Sequence, residues 1–133
     1  MNEPRGVCMN QWKGVVIAES LHDPTKINLL QVYRTFITHD GVLTPGDVPM
    51  RWHLYWVRAS RDDVAALRDE LKHGWYIHFW NAQKIIVLYD DADFEMDRFD
   101  RSTWKAATDH GLAMGIPIEQ LDFPTDDSTG TLE

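Results

Sequence analysis

Two short runs, residues 51–57 (RWHLYWV) and 75–80 (WYIHFW), are rich in aromatic side chains and carry one histidine each. Both are too short and too bulky for an amphipathic helix, so they read as β-strands, whose side chains point alternately to opposite faces. On that reading Trp52, Leu54, Trp56, Trp75, Ile77 and Phe79 share one face, and His53, Tyr55, Tyr76, His78 and Trp80 share the other. The first set suits a core beneath helices. The second mixes imidazole, phenol and indole groups on an apolar ground, the composition of a pocket or an interface core.

The rest of the chain supplies elements around this pair. Residues 13–21 (KGVVIAESL) contain a β-branched run and read as a buried strand. Asp23 and Pro24 end it, with Pro24 suited to the first turn of a short helix after an Asp cap. Residues 29–38 alternate well enough for a second strand, although a helix fits there too. Residues 39–49 hold two glycines and two prolines without periodicity and read as a loop. Ser60 and Asp63 have the spacing of a capping box ahead of Val64, Leu67 and Leu71, one face of a helix closed by Gly74. Residues 84–90 form a strand joined to 75–80 by Asn81, Ala82 and Gln83, the length of a hairpin loop, and Tyr89 joins the polar aromatic set. Asp100 caps a second helix through about Met114 that turns Trp104, Ala107, Thr108, Gly111 and Leu112 toward the sheet. Residues 118–123 alternate as a short last strand.

From residue 51 the order is strand, helix, strand, strand, helix, strand. This predicts an α+β fold, a ferredoxin-like split βαβ sandwich with a mainly antiparallel sheet, two helices on one face and extra N-terminal strands. The other sheet face then needs a different cover or must tolerate water. Residues 1–124 fit one domain, and residues 125–133 (TDDSTGTLE) read as a disordered acidic tail.

Composition narrows the function classes. The formal charge of −8 arises from 21 acids against 13 lysines and arginines, a balance that repels phosphate backbones and argues against a nucleic-acid partner. No apolar run approaches the length needed to span a bilayer, so no membrane partner is expected. The opening MNEPRGVCMNQ lacks the basic start and apolar stretch of an export signal, and the single Cys8 rules out an internal disulfide, so a cytoplasmic setting is expected.

Candidate chemistry is sparse. His53 and His78 are the candidate general bases, because imidazole titrates near neutrality, and Glu19 could supply a carboxylate at a sheet edge. No third ligand at diagnostic spacing accompanies the histidines, so no metal site and no cofactor are predicted. The acids between Asp90 and Asp100 lack the glycine and glutamate that an EF-hand loop needs, since Met96 and Ser102 hold those places. With Phe94, Met96 and Phe99 interleaved, this stretch suits an edge extension or loop whose acids face water. Phosphate-cradle and nucleophile-elbow spacings are absent from the sequence.

Three segments, WKGVVIAESL at 12–21, GWYIHFWN at 74–81 and HGLAMGIPIEQLDF at 110–123, together resemble a family of small uncharacterised prokaryotic (archaeal and bacterial) α+β proteins. The resemblance implies a compact cytoplasmic α+β protein and carries no activity or catalytic residue. The residues themselves suggest a non-enzymatic binding domain for a small hydrophobic ligand or a protein partner, homodimeric, using His53, Tyr55, Tyr76, His78, Trp80 and Tyr89. That face would be a pocket, a dimer interface or covered core. One alternative is a small cofactor-free enzyme, monooxygenase- or isomerase-like on a dimeric α+β barrel, with His53 or His78 as base. A regulatory protein-interaction module is the other.

Overall fold

The computed structural model describes residues 12–38, 51–121 and 123. They form an α+β structure around one six-stranded sheet. The strands are β1 (Trp12–Ile17), β2 (Gln31–Ile37), β3 (His53–Ala59), β4 (Ile77–Trp80), β5 (Lys84–Leu88) and β6 (Asp93–Asp97). Two helices accompany them, α1 (Arg61–Arg68) and α2 (Lys105–Ala113). The sheet order is β2-β3-β1-β4-β5-β6, and every neighbouring pair is antiparallel. Hence β3 and β4 run parallel to each other with β1 between them, and α1 connects them across one sheet face. The expected acidic tail at 125–133, the loop at 39–49 and Cys8 lie outside the described residues.

Local chemistry sets most element ends. The Ser60 hydroxyl accepts from the Asp63 N–H at 3.1 Å, and the Asp63 carboxylate accepts from the Ser60 N–H at 3.2 Å, so the expected capping box starts α1. Asp23 accepts from the Thr25 N–H and opens a 3-10 helix, Pro24–Leu29, with proline in its first position. The Asn81 side chain accepts from the N–H groups of Gln83 and Lys84 and so closes the β4–β5 turn. Asp100 accepts from the Ser102 N–H, opening the 3-10 turn Arg101–Trp104 that runs into α2. Residues 31–37 are a strand, which settles the choice left open for 29–38.

Two hydrophobic clusters lie on the two faces of the sheet. On one face Trp12, Val16, Val57, Ala59, Ile77, Phe79, Ile86 and Leu88 pack against Val64, Leu67 and Leu71 in and after α1. On the other Trp80, Ile85, Val87, Tyr89 and Met96 pack against Trp104 and Ala107, with Ile116, Leu121 and Phe123 completing the cover. The two helices expected on one face therefore occupy opposite faces. The reason is visible in β4 and β5: every residue from Ile77 to Trp80 and from Ile85 to Leu88 is buried. Strands apolar on both sides require a cover on both sides.

The last strand of the expected order also differs. Residues 118–121 and 123 do not join the sheet; Ile118–Gln120 is a 3-10 turn and Leu121 and Phe123 are buried on the α2 side. The edge position belongs to β6, held beside β5 by a short turn in which the Tyr89 N–H donates to the Ala92 carbonyl at 2.8 Å. In β6, Phe94 and Met96 turn inward while Asp93 and Glu95 meet Arg68 and Arg61 of α1 at 2.7 and 2.9 Å. The interleaved acids thus belong to an edge strand. Leu112, expected to face the sheet, is exposed on α2.

Gly14 lets the centre of the sheet close. It lies opposite Phe79 across the β1–β4 pair, and a Cβ there would come within 2.5 Å of the Phe79 ring and 3.0 Å of the His78 carbonyl oxygen. Phe79 is fully buried and has no room to yield. Gly14→Ala is expected to destabilise the fold by about 1–3 kcal/mol through overpacking. Urea unfolding should show this as a lower midpoint with an unchanged slope.

Candidate functional site

Strand register decides where the candidate side chains go. β1 pairs with β3 through Val16–Tyr55 and Gly14–Val57, and with β4 through Gly14–Phe79. Directly opposed residues share a face, so Tyr55, Val57 and Phe79 lie together, and His53 lies with them by alternation. Tyr76, His78 and Trp80 point the other way. The single polar aromatic patch expected from the sequence is divided between the two faces, because the two runs are not neighbours and the strand between them fixes their relative phase.

The α2 side holds Tyr76, His78, Trp80 and Tyr89. Trp80 and Tyr89 are fully buried, and His78 is buried with them. The His78 ring packs 5.4 Å from Trp80 and 5.8 Å from Phe123, and Tyr76 meets Phe123 edge-on at 5.5 Å. The Tyr76 hydroxyl donates to the Gln120 carbonyl, and the Tyr89 hydroxyl donates to the Ala107 carbonyl at 2.6 Å. α2 comes close enough for this because residue 111 is glycine, where a Cβ would meet the Tyr89 hydroxyl at 2.8 Å. Of the three roles open to this group, the geometry gives it that of covered core.

The α1 side holds His53 and Tyr55, and there the structure joins two candidates. Glu19 lies in the 3-10 turn Ala18–Ser20 that follows β1, and its two carboxylate oxygens both meet His53. One accepts from the His53 backbone N–H at 2.8 Å; the other contacts Nδ1 of the ring at 2.6 Å. The carboxylate is 19% exposed and the imidazole 45% exposed. A mostly buried acid therefore orients a ring whose other edge reaches the surface. Ile37 of β2 is the Cα partner of His53 and is exposed beside it. Tyr55 is half-buried against the α1-side core.

Two further histidine–carboxylate pairs were not foreseen. His110 of α2 contacts Asp91 at 2.8 Å, with its ring 4.8 Å from Tyr89 and 5.4 Å from Phe94. The hydrogen bond from His110 holds the Asp91 carboxyl below its usual range. His73, which lies beyond the end of α1, contacts Asp90 at 3.2 Å. No local spacing announces either pair, since 19 and 17 residues separate the partners. Both bind the β5–β6 turn, one from each side of the sheet. Among the described residues no group of three or more His, Cys, Asp or Glu is placed to hold a metal ion, and no helix is long and apolar enough to cross a membrane. An open cleft near Arg101, Trp104, Lys105 and Ile118 contains none of the candidate residues.

Burial pushes the Tyr89 phenol up from 10.0 to about 12. Its raised value means that the native state favours the neutral phenol. The stability it contributes is complete below the unfolded value of 10.0 and is lost as pH rises toward about 12. Alkaline ultraviolet titration should show a tyrosine step well above 10.0, and Tyr89→Phe, which lacks the bond to Ala107, should remove that step at a cost of about 1 kcal/mol in urea unfolding. Comparison of the chain with protein-family models, curated proteins and solved structures finds no match.

Proposed function

We propose that this chain is a binding domain that works as a homodimer, with β2 as the seam. The observation that carries the proposal is the state of β2. It is an outermost strand, and among the described residues no strand pairs with its outer side. An outermost strand is where a sheet can take on a further extended chain. Along it Val32, Tyr33 and Ile37 are exposed, as is Leu29 just before it, at 39%, 40%, 53% and 69%.

Edges that must stay single carry charges or prolines. β2 (QVYRTFI) has one charge, Arg34, whose guanidinium lies 4.4 Å over the Trp56 ring. A second copy is the occupant that this edge suits, because two β2 strands related by a two-fold axis pair antiparallel and cover the same apolar side chains on both partners. The sheet would then run continuously through both copies. In this reading the β3–α1–β4 unit, split by β1, is the ferredoxin-like part of each subunit, and the acidic charge suits a cytoplasmic setting. A small hydrophobic ligand or another protein on the same edge are the competing occupants.

Light scattering coupled to size exclusion is expected to give twice the chain mass. Leu29→Lys combined with Val32→Lys should give a monomer with an unchanged circular dichroism spectrum, since both side chains are exposed. A wild-type chain that stays monomeric at high concentration would rule the seam out.

A further inference from the structure

We propose that Glu19 and His53 form a proton-transfer dyad that acts on a neutral, apolar carbon acid. This goes beyond association through β2 and does not depend on it. A carboxylate only accepts hydrogen bonds, so its 2.6 Å contact with Nδ1 puts the proton of the neutral imidazole on that nitrogen. The lone pair then sits on Nε2, which has no partner among the described residues. A general base needs this state: an accessible lone pair on a ring held in one tautomer and one orientation.

Glu19 is itself fixed. Its second oxygen is bound to the His53 amide at 2.8 Å, and the 3-10 turn that carries it is tied by the Ser20 hydroxyl, buried, donating to the Ile17 carbonyl at 2.6 Å. The other two histidine–carboxylate pairs lack this combination. Asp91 is 60% exposed and holds its histidine by Nε2, and His73 is 71% exposed at a contact of 3.2 Å. Among these three pairs, the Glu19 carboxylate is the least exposed and is the one held by a second hydrogen bond to the backbone N–H of its own histidine.

In the reaction a substrate C–H bond breaks and its electron pair stays on the substrate as a delocalised anion. The proton moves to Nε2, and the imidazolium so formed is stabilised by the Glu19 carboxylate. Returning that proton to another substrate atom completes an isomerisation and restores the neutral ring. The substrate class follows from the surroundings. Ile37 is exposed directly opposite His53 and gives an apolar contact. The Glu19 carboxylate and a chain charge of −8 disfavour an anion.

The probe is 5-nitrobenzisoxazole, a neutral aromatic carbon acid. Base takes its ring C–H proton, the N–O bond breaks, a nitrile forms and a coloured phenolate is released. The full chain is expected to release phenolate faster than free imidazole at equal concentration and pH. His53→Ala should lower the rate at least about tenfold, and His53→Gln, which keeps a side-chain N–H for Glu19, serves if the alanine variant fails to fold. Glu19→Gln keeps an oxygen for the His53 amide but removes the charge that stabilises the imidazolium, so it should lower kcat about tenfold and leave KM unchanged. His73→Ala should leave the rate unchanged. The dyad is overturned if a folded His53 variant keeps the rate, if His73→Ala loses as much, or if Glu19→Gln leaves kcat unchanged. Repeating the assay on the Leu29→Lys, Val32→Lys variant, which leaves Ile37 in place, separates failure of the dimer from failure of the dyad.

Discussion

β1, near the start of the chain, is wedged between β3 and β4, and its antiparallel pairing with both fixes the phase of the two aromatic strands relative to each other. Gly14 makes the wedge fit, because its missing side chain is the space that the Phe79 ring occupies. From this one placement follow the parallel run of β3 and β4, the crossing of α1 over one face, and the separation of His53 and Tyr55 from Tyr76, His78 and Trp80. Had the two runs been adjacent, their phase would have been set by direct pairing. With a strand between them it is set by that strand's register on each side.

The second constraint is the two-sided apolar character of β4 and β5. Burying large apolar side chains is worth roughly 1.5–3 kcal/mol each, so neither face of these strands is left to water. α1 covers one face with Val64 and Leu67. α2 covers the other with Ala107 and Gly111, small residues that bring its backbone near enough for the Ala107 carbonyl to accept from Tyr89. Polar groups in that layer are tied down: Tyr76 bonds the backbone at Gln120, and His78 packs among rings. Packing absorbed the residues whose composition looked most like a binding face. On the other face Glu19 meets His53, with part of the imidazole exposed.

Much of the fold was legible because its signals are local. The Ser60–Asp63 capping box, the Asp23–Pro24 start, the Asn81 turn and the Asp100 cap each act within a few residues, and each does in the structure what its spacing implies. Alternation within each aromatic run was also correct, since pleating is a property of the single strand. Two strings of alternating residues competed for the sheet edge, 93–97 and 118–123. The first won through proximity, being joined to β5 by a turn of a few residues, while Leu121 and Phe123 found burial without backbone pairing.

The sequence alone therefore determined the α+β class, strands within 51–59, 75–80 and 84–90, the capping box that starts the first helix, and three residues with acid–base character, His53, His78 and Glu19. Only the tertiary structure decided that His53 and Glu19 meet while His78 is buried on the opposite face, and that the helices cover different sides. The physical reason is range. Caps, turns and pleats are fixed by neighbours along the chain, whereas the meeting of residues 19 and 53 depends on hydrogen-bonded register between β1 and β3, which no spacing in the sequence encodes.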